Sequence, residues 1–333
     1  MIGLLECSHF IPACDRGTVA SNPFQRQLKS ILDGFRKEPP SRTPSLVATL
    51  FGDVVESHDR EIWLGSITAL LEPLGVNERL VRTAVYRLAK DDFVESTKIG
   101  RRSYYRLTDS AREKVGAYDQ LIYYPSDKQW DGDWILVFTG THGINAKQRA
   151  RLRKELSWLG YGIIAPNVYG HPTAPITQTQ AILAKVGVTN QVVVLRASNY
   201  DPMYGLGTKG MVRQCFKLGE LEKQYSAFIK HYRSLARAMQ NIRHVEQENP
   251  EHCFMLRIML IHHYRRILLK DPKLPAELLP DNWLGKQAQD LCAAIYRPLE
   301  AISEQHILAH CENQVGPFRQ TSPRFSQRFT AWE

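Results

Sequence analysis

Long apolar runs are missing from this chain of 333 residues. Its most apolar stretch, Cys253 to Ile261, is broken by Arg257 and falls far short of the roughly 20 residues a bilayer-spanning helix needs. The opening Ile2, Leu4 and Leu5 are interrupted by Glu6 and His9, too soon for a secretory signal. A cytoplasmic protein without a membrane partner is expected. Paired cysteines are missing as well. The six cysteines, at 7, 14, 215, 253, 292 and 311, never show CxxC spacing, so free thiols are expected. Cys7, His9, Cys14 and Asp15 imitate a zinc site, but a ragged N-terminus is the preferred reading, with no metal and no cofactor. Gly-x-Ser-x-Gly, His-Glu-x-x-His and paired acidic clusters are also lacking, which removes the commonest hydrolase and metalloprotease signatures.

What the chain has is positive charge, +9 formally at pH 7, and an uneven distribution of it. The length predicts two or three domains. Residues 42–78 carry a net −4, whereas residues 79–114 carry +5. Between Ser66 and Thr108 the pattern predicts a helix, a tight turn, a basic second helix and a hairpin with a cationic tip. Ile67, Leu70, Leu71 and Leu74 mark the first helix. Gly75 fits the turn, where a left-handed backbone is tolerated, and Asn77 sits where an N-cap is wanted. Leu80, Val81, Ala84, Val85 and Leu88 form one apolar stripe on the second helix.

The opposite face presents Arg79, Arg82, Thr83, Tyr86, Arg87 and Lys90. Arginine bonds guanine O6 and N7 as a fork, and Thr or Tyr reaches bases or phosphates, so this face suits a major groove. Phe93, Val94, Tyr104, Tyr105 and Leu107 are strand formers. They flank Lys98-Ile99-Gly100-Arg101-Arg102, a wing whose tip suits phosphate or a minor groove. The expected DNA contacts are Asn77 and the six residues of that face, with Lys98, Arg101 and Arg102. A solvated charged helix beside an ordinary hairpin is the alternative.

Residues 1–40 show little periodicity except a helix through Phe24, Leu28, Ile31 and Leu32, closed by Pro39-Pro40; the first twenty residues are expected to pack loosely. Ser110 to Tyr123 predicts a helix with Ser110 and Glu113 spaced as a capping box. A linker from Pro125 to Gln129 follows. Residues 130–200 then alternate strand and helix in the order βαββαβ, the ferredoxin-like split unit. Its first helix carries Lys147, Arg149, Arg151, Arg153 and Lys154, which reads as a solvated face or as a contact for an anion. Ser198 to Gly210 makes a second boundary. The remainder predicts helices over Met211 to Gln240, Pro250 to Lys270 and Gly285 to about His310, then a disordered tail after Val315.

The Pro250–Lys270 helix is apolar almost all round and should be buried, yet it holds His262, His263, Arg265 and Arg266. Charges there need partners. Ion pairs with Asp271, Glu277 or Asp281 are one reading; a pocket for an anionic effector is the other. A metal at His262 and His263 is rejected, since adjacent residues on a helix point apart. The expected architecture is therefore α+β and multidomain. An N-terminal extension (1–40) precedes a winged helix-turn-helix (41–124) and a ferredoxin-like central domain (130–200). A helical C-terminal domain (208–314) and a tail (315–333) follow.

The stretches EIWLGSITALLEPLGVNERLVRTAVYRL, KIGRRSYYRLT, WDGDWILV and IHHYRRILLKDPKLPAELLPDNWLG closely resemble the PaaX-type repressors of phenylacetic acid degradation. The resemblance spans roughly residues 40–310. It implies repression of a catabolic operon by a dimer bound to double-stranded operator DNA, relieved when phenylacetyl-coenzyme A binds. It transfers no effector-contact residues. A coenzyme A ester carries several phosphate charges and an apolar acyl end, so its pocket needs cations beside aromatic or aliphatic walls. His262, Tyr264, Arg265, Arg266, Lys270 and Trp283 offer both and are the expected effector residues.

The central segment also resembles the small ferredoxin-like nucleases of CRISPR adaptation, which carry a metal-binding Asp at the end of the first strand. Here that strand ends Phe138-Thr139-Gly140-Thr141, with Asp131 and Asp133 before it instead. A nuclease or an enzyme acting on a coenzyme A ester is the alternative function, and a nucleic-acid-binding protein without a ligand is a third. The large helical C-terminal segment argues against the third, since DNA binding alone does not need it.

Overall fold

The computed structural model describes residues 23–37, 42–124, 129–140, 143–198, 207–240, 248–319, 321 and 327–329. Cys7, His9, Cys14 and Asp15, Pro39-Pro40 and most of both expected linkers lie outside these residues.

The first seven elements are α1 (Pro23–Arg36), α2 (Thr43–Asp53), β1 (Ile62–Trp63), α3 (Leu64–Leu71), α4 (Glu78–Lys90), β2 (Val94–Ile99) and β3 (Arg102–Leu107), followed by α5 (Asp109–Tyr123). In α1 the apolar positions recur at helical spacing, and Phe24, Leu28, Ile31, Leu32 and Phe35 are all buried. The segment expected as an extension thus carries a core-forming helix. Between α3 and α4 a short 3-10 turn ends at Gly75, whose φ of 85° is left-handed, a conformation costly for a residue with a Cβ. β2 and β3 form the expected hairpin. β1, not legible as a strand, adds to the outer side of β3, with Ile62 opposite Tyr105 and Trp63 opposite Tyr104. α5 is capped by Thr108, which accepts from the Ala111 amide. The expected Ser110 cap is displaced: the cap lies two residues earlier, at Thr108, and Ser110 falls inside the helix.

The central part comprises β4 (Asp133–Phe138), α6 (Ala146–Trp158), β5 (Gly162–Ala165), β6 (Val168–His171), α7 (Ile176–Val186) and β7 (Val193–Ser198). The sheet order is β5-β6-β4-β7, and every neighbouring pair is antiparallel. This fits the ferredoxin-like arrangement predicted from the βαββαβ order. One face packs on α6 and α7 through Val137, Tyr169, Leu152, Leu156 and Leu183, a core of its own.

The rest is helical: α8 (Gly207–Cys215), α9 (Leu218–Gln240), α10 (Pro250–Leu268) and α11 (Leu284–His310). The single helix expected from Met211 to Gln240 is broken at Phe216-Lys217, where Lys217 has a φ of 51°. The break turns the Phe216 ring onto Gly162 of β5, so close that a Cβ there would lie 2.8 Å from it. It also packs Phe216 against Trp134 of β4. The central sheet is thereby docked on the helices. α10 packs chiefly on α11 and α2, touches α9, α1 and α5, and is buried on nearly all sides. One continuous core runs from α1 through α2–α5 and into α9–α11. The expectation of a disordered tail is corrected for the residues described there: Phe318, Arg328 and Phe329 are buried. No described helix is long and apolar enough to cross a membrane.

Candidate nucleic-acid interface

The α4 helix starts at Asn77, whose Oδ1 accepts from the Leu80 amide at 3.0 Å. That bond satisfies one of the four orphan N–H groups of a helix start. Val81, Ala84, Val85 and Leu88 anchor α4 in the core. A Val or Leu side chain contributes about 1.5–3 kcal/mol when fully buried. The other face is turned to solvent: Asn77, Arg79, Arg82, Thr83, Tyr86, Arg87 and Lys90 are all exposed. Tyr86 stands 71% exposed, an unusual position for an aromatic ring. Thr83 bonds the Arg79 carbonyl, and Arg82 pairs with Glu78 one turn back. An exposed pair at this spacing contributes only about 0.3–0.5 kcal/mol, so Arg82 is easily recruited by a stronger anion.

The hairpin exposes its cationic tip. Lys98, Arg101 and Arg102 are exposed, and Gly100 turns the chain with a φ of 60°. Arg106 pairs with Glu95 directly across the strands. Arg102 differs from its neighbours. Its guanidinium lies 4.5 Å over the Trp63 ring and its Nη1 is 2.6 Å from Glu312 Oε1. The segment carrying Glu312 follows α11. It is fixed to β1 by the Trp63 amide, which donates to the Glu312 carbonyl, and to α3 by Ser66 Oγ, which accepts from the Glu312 amide.

The platform behind α4 rests on one buried charge. Asp53, the last residue of α2, accepts from Arg257 Nε of α10 at 2.9 Å and from Arg328 Nη1 at 3.1 Å. The hydroxyls of Tyr123 and Tyr296 also donate to it. Burial by itself pushes the Asp53 carboxyl up, but the two guanidinium groups and the Tyr123 hydroxyl outweigh it and hold the pKa below the ordinary carboxylate value. Arg328 reaches on to Asp119 of α5 at 2.7 Å. Four helices and the chain's last described segment therefore meet at one carboxylate. Arg257 was visible in the sequence as the interruption of an apolar run; its partners were not.

The expected effector residues do not converge. His262 is buried, its Nδ1 3.2 Å from Thr49 Oγ1 of α2, and Arg265 lies on the same side, 3.5 Å from that hydroxyl. Burial pushes the Arg265 pKa down. Tyr264 is buried against Phe228, and its hydroxyl has no partner among the described residues. Trp283 packs edge-on against Tyr225. Arg266 and Lys270, by contrast, line one open groove with His263. Asp271, an expected partner of Arg266, is taken by the Tyr225 hydroxyl and the Lys273 amide, and Asp281 by Lys209.

In the central sheet, Asp131 and Asp133 are both held by Arg196, at 2.6 and 2.5 Å. Thr139, at the end of β4, is buried and bonded to the Asn167 carbonyl. Of the five cations on α6, Arg149 bonds Asn167 and the other four face solvent.

Residues 42–111 match the PaaX-like protein family, residues 127–205 the PaaX protein central Cas2-like domain, and residues 216–309 the PaaX-like protein C-terminal domain. Across 304 residues the chain is 34% identical to the transcriptional repressor PaaX of Escherichia coli (strain K12), covering 90% of this chain and 95% of that protein. The chain belongs to the PaaX family. Among solved structures, the uncharacterized protein Rv0674 from Mycobacterium tuberculosis aligns with a TM-score of 0.48 at 19% identity, over 76% of this chain and 96% of that one. The three PaaX matches take in α4, the hairpin and Arg257. α1, Glu312 and Arg328 lie outside all three.

Proposed function

We propose that this PaaX-family chain is a transcriptional repressor of phenylacetate catabolic genes. It reads double-stranded operator DNA through a winged helix-turn-helix and leaves the operator when phenylacetyl-coenzyme A binds. The observation that carries the reading is the division of α4: Val81, Ala84, Val85 and Leu88 of its apolar stripe are buried and Leu80 half-buried, while all ten of the expected DNA-facing residues on α4, its cap and the hairpin are exposed. α4 takes the part of the recognition helix. Arg79, Arg82, Arg87 and Lys90 supply forked or phosphate contacts, with Thr83 and Tyr86 between them. Lys98, Arg101 and Arg102 take the part of the wing. The E. coli relative named as a transcriptional repressor supports the same function, and not an enzymatic one. The identity of the effector rests on the family resemblance.

A helix-turn-helix protein that pairs about a two-fold axis presents two such helices to two half-sites. A homodimer on an imperfect palindrome follows. The effector acts by preferring a conformation that grips DNA poorly. The test is a gel shift with the promoter adjacent to the phenylacetate genes, with and without phenylacetyl-coenzyme A. A shifted band that the ester abolishes, with the ester recovered unchanged, is the expected result. A chain that fails to shift this DNA, or hydrolyses the ester, is not this repressor.

A further inference from the structure

A groove of about 670 Å³ runs between α9, α10 and the first turn of α2. Its volume is in the range of small-molecule sites. Its charge sets it apart. Arg42, just before α2, and Ser45 of its first turn meet His231 and Tyr232 of α9, His263 and Arg266 of α10 and Lys270 just after α10, with no carboxylate among the described residues of the lining. Three other clefts of this protein mix their cations with acids: Arg112 with Glu56 and Asp119, Arg106 with Asp59 and Glu61, Arg101 with Glu72 and Glu78. Arg266 and Lys270 bring two permanent cations to one wall, with Arg42 across from them, and like charges so placed favour an anionic guest. Apolar wall is present too, from the Phe228 ring and Ile267. Tyr232 and His263 are mutually held, hydroxyl to Nδ1 at 2.8 Å, so part of the wall is pre-organised.

We infer that this groove is the effector site, with Arg42, Arg266 and Lys270 holding the phosphates of a coenzyme A ester and the Phe228–Tyr232 side receiving its apolar part. The inference rests on the proposed function above. It replaces the dispersed set of His262, Tyr264, Arg265 and Trp283 with groups that share one space. It also supplies a route to the DNA-facing side. The groove's wall includes the first turn of α2, and α2 packs along α4. The far end of α2 is pinned at Asp53 by Arg257 and Arg328. A ligand drawing Arg42 toward α10 therefore tilts α2 about a fixed end and shifts α4, which packs on it. On the other side, His263 touches the Phe35 ring of α1, 5.6 Å between centroids. The next residue, Arg36, holds the turn before α4 through the Pro73 carbonyl. Both walls of the groove thus lead to the same helix.

The experiment titrates the full-length protein with phenylacetyl-coenzyme A, free coenzyme A, phenylacetate and inorganic phosphate by calorimetry, and measures operator release by each. It compares wild type with the variants Lys270→Glu, Arg42→Glu and Arg266→Gln. The expected result is ester binding by wild type that weakens at least tenfold in each variant, with ester-free operator affinity within about twofold of wild type. Free coenzyme A should bind more weakly but lose affinity in the same variants; phenylacetate and phosphate should not release DNA. If wild type binds the ester and Lys270→Glu and Arg42→Glu bind it equally well, the groove is not the site, while the repressor reading stands. If wild type neither binds the ester nor releases DNA with it, the effector reading itself fails and the groove assignment with it. Should Arg266→Gln unfold, the other two variants decide the matter alone.

Discussion

Arg36, the last residue of α1, donates from Nη2 to the Pro73 carbonyl at 2.7 Å and from Nε at 3.2 Å. Pro73 lies in the turn between α3 and α4. The other face of α1 is buried beside α9 and α10. A helix outside the PaaX-matched segments therefore joins the turn that aims α4 to the helical bundle. Arg36→Ala should cost about 1 kcal/mol in a urea titration, since the bond is charge-assisted but exposed. It should also weaken operator binding, because the turn loses its brace. Unchanged operator affinity in a folded variant would show that the turn positions α4 without α1.

Asp53 and Arg257 should behave as a buried pair. In Asp53→Asn, Arg257 and Arg328 keep their charges in the core without the carboxylate that balances them. Removing one partner of such a pair costs about 3–5 kcal/mol. The folded pKa of Asp53 is held below its unfolded value. Its stabilisation is therefore present above the ordinary carboxylate value of 3.8 and is lost as pH falls through the lower folded pKa. An unfolding free energy for Asp53→Asn, from urea titration, within about 1 kcal/mol of wild type would mean that the network contributes little to folding.

The elements legible in the sequence were those whose signal is local. Asn77 as a cap, the α4 stripe and the βαββαβ order each depend on local spacing, and the structure has them. What escaped reading depends on distance along the chain. Arg257 meets Asp53 across 204 residues and Arg328 meets it across 275; no periodicity encodes such pairings. The same holds for β1, only two residues long and defined by its partner β3. Residues beyond Val315 read as a disordered tail until Arg328 and Phe329 are seen to fill a space framed by Tyr123 and Tyr296. On the candidate effector side, helical spacing alone could not divide α10 among its neighbours. His262 and Arg265 turn to α2, whereas Arg266 and Lys270 turn to the groove.

On α4, Arg82 and Arg87 are the candidates for forked guanine contacts. Replacing either with Ala should remove about 1–3 kcal/mol of discrimination at one base position, read from affinities for a set of single-base operator variants. Arg82 has the Glu78 pair to break, so its loss should show the smaller net effect. If both Ala variants keep wild-type affinity and base preference, the exposed face of α4 is not the reading face.

The wing cations should act on affinity more than on sequence. Freeing one phosphate from its cation lowers the magnitude of the slope of log affinity against log salt by about one, so Arg101→Ala with Arg102→Ala should reduce it by about two. Arg102 adds a distinct expectation. Its guanidinium is held by Glu312 and Trp63 and must leave the carboxylate to meet a phosphate. Glu312→Gln should therefore bind the operator a few-fold more tightly at low salt, and the gain should vanish in Arg102→Ala. Equal affinities for Glu312→Gln and wild type would show that Glu312 does not compete with DNA.

His306 gives the chain a second window of acid sensitivity. It sits on α11, 7% exposed, with its ring 5.3 Å from Phe254 and 4.2 Å from His310. Its Nε2 has no partner among the described residues. Burial, and after it the neighbouring His310, push its pKa down to about 4 from the ordinary 6.5. The unfolded chain then takes up a proton near 6.5 that the folded chain refuses until about 4. Stability from this group is fully present above 6.5 and is lost progressively as pH falls between those values. This window lies above the one set by Asp53, so the two separate in a pH series. His306→Phe keeps an aromatic ring against Phe254 and removes the titration. Its urea midpoint should fall less than that of wild type between about pH 6.5 and 4.5, with the two close together at about pH 7.5. Parallel midpoints across that range would mean that His306 gains its proton in the folded protein as readily as in the unfolded one.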